Sequence, residues 1–220
     1  MEQFLIASHV ICGGTVLSLG LVQMLRPKGD RVHKILGKLY VGCMWWICLS
    51  ALLIISFYRF NAFLMVIAAL TFYASFTGLR VLYRKKIGTE KWYDWFVGII
   101  TMGFGIGLFV YAIHLFIHFP RNQILASLCL IFGFFTFFNA FRDIRFFIQK
   151  KTNSNLWWLR QHIGAMGGSY IAAVTAFAVQ NPDLFMPGSS YQWMLWILPS
   201  VVGNPIIVRA IRKRMRKEAV

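Results

Sequence analysis

Seven stretches of this 220-residue chain are apolar for about twenty residues at a time, and each is long enough to cross a hydrocarbon core of about 30 Å as a helix. No other feature narrows the fold so far, because backbone polar groups in lipid need internal partners and a helix supplies its own. The spacing places spans near 4–25, 35–57, 63–83, 92–118, 124–148, 159–180 and 193–208. The expected class is therefore all-α: a polytopic membrane bundle of seven transmembrane helices. The longest connection, NPDLFMPGSSYQ, has only a dozen residues, so residues 1–220 are read as a single integral membrane domain. Composition agrees, since 58% hydrophobic and 17% aromatic residues exceed ordinary globular usage.

A formal net charge of +16 would suggest nucleic acid in a soluble protein, so the positions of the basic residues decide. With flanking helix ends included, five fall between the first two helices (Arg26, Lys28, Arg31, Lys34, Lys38) and five follow the third (Arg80, Arg84, Lys85, Lys86, Lys91). Another five belong to the fifth helix and its loop (Arg142, Arg145, Lys150, Lys151, Arg160), and six to the tail RAIRKRMRK. Arg59 and Arg121 stand alone in the other connections. That places 21 of 23 on alternate sides, and excess Lys and Arg mark the cytoplasmic face. The N-terminus is expected outside and the C-terminus inside, with the tail on anionic lipid headgroups and no nucleic acid as partner. The first segment lacks a basic n-region and a small-residue cleavage site, so it is expected to be retained as a helix. Cys12, Cys43, Cys48 and Cys129 all lie inside spans without a CxxC pair, and read as packing residues rather than a disulfide framework.

An internal repeat appears at an offset of 65: TFYASFTGLRVLYRKK from Thr71 matches TFFNAFRDIRFFIQKK from Thr136 at six of sixteen positions, and Trp92 falls on Trp157. Helices three and four then correspond to five and six as repeated helical hairpins. Small residues recur every fourth position at Gly164, Gly168, Ala172 and Ala176 in helix six, and at Gly103 and Gly107 in helix four. Such stripes let helix backbones approach closely. In helix seven Pro199 and the run Gly203, Asn204, Pro205 predict a kink or a partly unwound break, which in carriers marks a binding site.

Ionisable groups within spans are costly and are functional candidates by default. They fall in two layers. His9 lies just inside helix one and HLFIH ends helix four, so His114 and His118 share one face at i and i+4. On the other side are His33, His162 and Asp94 at the starts of even-numbered helices, with Asn139, Arg142, Asp143, Arg80, Arg160 and Tyr93 nearby.

Paired histidines on different helices suit the two axial positions of haem b, with basic residues for its propionates. His33, His162 and His9 are the leading set for a redox or metal-handling protein. A transition metal on His9, His114 and His118 is an alternative. The same polar groups would also serve as an interfacial hydrogen-bond and salt-bridge network, or as the cavity of a proton-coupled or small-solute carrier built on the broken helix. A membrane scaffold or assembly factor, with a glycine stripe facing a partner membrane helix or a second copy, is a further reading. No GxSxG, P-loop or HExxH is present, so no motif assigns an enzyme.

HKILGKLYVGCMW resembles the first signature of the domain-of-unknown-function family numbered 2306, predicted bacterial integral membrane proteins. HIGAMGGSYIAAVTAFAVQN and WILPSVVGNPII are similar to its later signatures, and His9 with Gly13 to its opening one. The resemblance implies a multi-helix protein of the bacterial cytoplasmic membrane and carries no activity. It marks His9, His33 and His162, with Tyr40, Tyr170, Asn181, Pro199 and Pro205 beside them, and leaves His114 and His118 outside.

Overall fold

The apolar blocks are wound as helices, the seventh in two windings, and local chemistry sets where the winding starts and stops. The computed structural model describes residues 1–58, 61–152 and 154–217; Arg59 lies outside them. Helix α1 runs Glu2–Leu25, α2 Arg31–Phe57, α3 Ala62–Arg80, α4 Trp92–His118, α5 Gln123–Gln149 and α6 Trp157–Gln180. A single turn, α7, covers Pro182–Phe185, and α8 runs Leu198–Lys217. Among the described residues seven helical segments have the length and hydropathy of membrane spans. The chain is a multi-pass membrane protein.

The start of α2 is capped by Asp30, whose Oδ1 accepts from the His33 N–H at 2.7 Å, meeting one of the donors that a helix leaves unpaired in its first turn. The end of α5 is closed by Lys150 in a left-handed conformation at φ 50°, a place usually given to glycine because a Cβ crowds it.

The helices gather into two compact units, Met1–Val81 with Trp158–Val220, and Leu82–Trp157. The first has a core of Val16, Tyr40, Val41 and Met44, surrounded by Leu79, Met166, Tyr170 and Ala173, so α1, α2, α3 and α6 share it. Two glycines permit this approach. The Tyr170 ring occupies the place where a Cβ on Gly20 would stand, and a Cβ on Gly78 would lie 2.8 Å from Met166 Sδ. In the second unit α4 packs along α5, where a Cβ on Gly105 would meet the Phe137 backbone nitrogen at 2.7 Å and one on Gly133 would meet Leu108 Cβ at 3.0 Å.

The close-contact glycines are thus not those of the small-residue stripes. Gly103, Gly107 and Gly168 have no neighbour within 4 Å of an added Cβ, whereas Gly167 would meet Ile207 Cδ1 at 2.6 Å and Gly203 would meet Ile171 Cδ1 at 2.6 Å. Helices α6 and α8 therefore interlock reciprocally, each seating an isoleucine against the other's glycine.

The seventh span changes winding before its prolines. A 3-10 turn over Gln192–Trp196 passes through Ile197 into α8, which is continuous through Pro199, Gly203, Asn204 and Pro205. Pro199 is the second residue of α8, where no intrahelical N–H bond is due. Gly203 serves the α6 contact rather than a break.

Candidate functional site: three histidines in the first unit

Helices α1, α2 and α3 follow one another up and down, so the end of α1, the start of α2 and the end of α3 share one end of the first unit. Gln23, His33 and Gly78 lie there, and His162 in the second turn of α6 joins them. Its Nδ1 is 2.7 Å from the Gly78 carbonyl oxygen. A carbonyl oxygen only accepts, so His162 donates from Nδ1, and the neutral ring keeps its lone pair on Nε2.

His33 is fixed the same way through Gln23. The Gln23 Nε2 donates to the His33 carbonyl at 2.8 Å, and Oε1 lies 2.6 Å from His33 Nδ1. The first bond fixes the amide orientation, because nitrogen must face a carbonyl; the oxygen then faces the ring and only accepts. His33 Nδ1 is therefore the donor and Nε2 again holds the lone pair.

His9 follows the same pattern at the far end. Its Nδ1 is 2.9 Å from Ser50 Oγ, and the single hydrogen of that hydroxyl is directed at the Trp46 and Ile47 carbonyls, 2.8 and 3.0 Å away. Ser50 is left to accept, so His9 donates from Nδ1. His9 and Gln23 are fourteen residues apart on α1, about 21 Å at ~1.5 Å per residue, which separates His9 from the His33 end.

Between these ends α6 is tied by two tyrosines. Ser169 Oγ donates to the Met166 carbonyl at 2.8 Å, so the Tyr40 hydroxyl, 3.0 Å from Ser169 Oγ, is the donor there. Tyr170 Oη donates to the Leu17 carbonyl at 3.1 Å while its ring covers Gly20.

The remaining polar candidates divide between the units. Arg80, half-buried at the end of α3, and Arg160, exposed on α6, belong to the first. In the second, Asp94 is buried and its Oδ2 accepts from the Lys91 N–H at 2.9 Å. Asp143 is buried with Oδ1 3.8 Å from the exposed Arg142. Asn139 commits its amide to the Phe135 carbonyl one turn back at 2.8 Å. His114 and His118 are exposed on α4 with ring centroids 4.6 Å apart. Among the described residues no three His, Cys, Asp or Glu side chains come together to hold a metal ion. The residues that sequence reasoning missed are the orienting groups Gln23, Ser50 and Gly78. A glutamine within a span was the one available signal, since a polar side chain in lipid needs a partner.

No family model, curated protein or solved structure matches the chain.

Proposed function

We propose that this chain is a haem protein of the bacterial cytoplasmic membrane, with His33 and His162 as the two residues that would hold the group. One observation carries the reading: at one end of the first unit two imidazoles on different helices each commit Nδ1–H to an oxygen, Gln23 Oε1 and Gly78 O, at 2.6 and 2.7 Å. Metal-ligating histidines characteristically donate the second ring N–H to such an acceptor, which sets the tautomer and makes Nε2 a better ligand.

The number of ligands favours haem over a bare ion. Zinc or copper asks the protein for three or four donors, and no such group converges among the described residues. Haem carries its own four equatorial nitrogens and asks for two imidazoles. Arg31 and Lys34 on the same turn of α2, with Arg160 before His162, are suited to its propionates. Bound there, haem supplies one-electron exchange, at a potential set by the ligands, their orienting bonds and burial.

The orientation belongs to the same proposal. The alternating charge pattern puts the His33 end at the cytoplasmic face, among anionic headgroups, and His9 toward the outside. The test is an absorption spectrum and iron analysis of one sample purified in mild detergent. A Soret band with iron near stoichiometric is expected, and colourless, iron-free protein with full helical content overturns the reading.

A further inference from the structure

Arg84, in the connection between α3 and α4, is 1% exposed. Its Nε and Nη1 have no hydrogen-bond partner among the described residues. Its guanidinium stands over the Phe147 ring, whose centroid lies 4.5 Å from the guanidinium carbon. Phe147 is buried and held edge-on by Trp95 at 5.3 Å, so the ring is a fixed floor under the charge.

A guanidinium keeps its charge and presents five N–H donors. A π face answers the charge in part but leaves donors unmet, and unmet buried donors are costly. Of the buried carboxylates in the same unit, Asp94 Oδ2 accepts from the Lys91 N–H at 2.9 Å, and Asp143 Oδ1 lies 3.8 Å from Arg142. Exposed Lys85, Lys86 and Lys91 surround the connection. The turn between them is closed by Thr89 Oγ1 donating to the Lys86 carbonyl at 2.7 Å.

We propose that Arg84 is the centre of an anion site in the second unit that takes a phosphate oxygen. The guanidinium fork matches phosphate geometry, the Phe147 ring holds it from below, and the exposed lysines draw the anion in. Entry requires the turn over 85–91 to shift. A lipid phosphodiester and free inorganic phosphate share this chemistry, and they are separated by experiment.

Thermal unfolding of the full chain is followed in neutral detergent, titrated with sodium phosphate against sodium chloride at matched ionic strength, and separately with phosphatidylglycerol against phosphatidylcholine. An anion bound only by the folded form raises Tm with the logarithm of its concentration. The wild type is expected to rise with phosphate, with phosphatidylglycerol alone, or with both, which identifies the source. Arg84→Met is expected to be flat in both titrations and, without anion, at least as stable as the wild type, because buried N–H donors on Nε and Nη1 without partners have been removed. Equal shifts in wild type and variant place binding on the exposed basic helix ends and overturn the proposal, as does no shift in either. Should Arg84→Met fail to fold, Arg84→Lys keeps the charge and loses the fork. Its half-saturating concentration is expected to be about tenfold higher, and a wild-type response from it overturns the proposal.

Discussion

The carboxamide of Gln23 holds His33 at two points, its nitrogen on the backbone carbonyl at 2.8 Å and its oxygen on ring Nδ1 at 2.6 Å. One side chain of α1 thereby fixes both the position and the tautomer of an imidazole on α2. Gln23→Leu should leave two partly buried groups of His33 unpaired, at about 1–2 kcal/mol. Gln23→Glu keeps the acceptor for Nδ1 and loses the donor to the carbonyl, so it should cost less. Denaturant unfolding in mixed micelles, read by tryptophan fluorescence, measures both, and equal stability of all three proteins would contradict the double contact.

Tyr170 lies across α1 with its ring against Gly20 and its hydroxyl on the Leu17 carbonyl. Gly20→Ala should drive a methyl into the ring and cost about 1–3 kcal/mol, more than Tyr170→Phe, which loses one hydrogen bond at about 0.5–1.5 kcal/mol. In a double-mutant cycle Gly20→Ala with Tyr170→Ala should lose less than the sum of the single changes. Strict additivity would show that the two residues do not touch.

Glycines of one helix should respond with opposite signs. Gly105→Ala meets the Phe137 backbone and should destabilise by about 1–3 kcal/mol. Gly103→Ala and Gly107→Ala enter open space and should be neutral or stabilising by up to about 1 kcal/mol. Tm values of the three variants decide it.

The helices were legible in the sequence because a twenty-residue apolar run has few other uses, and all seven expected spans coincide with helices. The histidines stood out for a related reason, since few polar groups enter such runs. Their orientation did not, because it depends on Gln23, Ser50 and a carbonyl of α3, partners ten or more residues away. The contact face of a glycine-rich helix was also hidden. Gly164, Gly167 and Gly168 crowd one turn of α6, and only the isoleucines of α8 select Gly167. Asp94, Asn139, Arg142 and Asp143 fall in one unit while Arg80 and Arg160 fall in the other, a division that charge and depth along the chain do not encode. Arg84 looked like any basic residue of a cytoplasmic turn, and only its burial sets it apart.

The cap of α2 carries a pH dependence with a defined sign. Asp30 accepts from the His33 N–H, which holds its carboxyl below the usual carboxylate range, with Arg26 at 3.3 Å adding to the effect. Because the folded value lies below the unfolded one, the contribution is fully present above the ordinary carboxyl value of about 4 and is lost as pH falls through the folded value. The stability gap between wild type and Asp30→Ala should therefore be constant at neutral pH and narrow in acid. A gap that widens in acid would contradict the assignment.

The pairing of His33 with His162 is tested most directly by oxidised and dithionite-reduced spectra of the wild type beside His33→Ala, His162→Ala and His118→Ala, all purified alike. A six-coordinate, bis-imidazole haem spectrum is expected in the wild type and in His118→Ala, lost in each of the other two variants while helical content is kept. A colourless wild type, or a haem spectrum that survives both His33→Ala and His162→Ala, would contradict it.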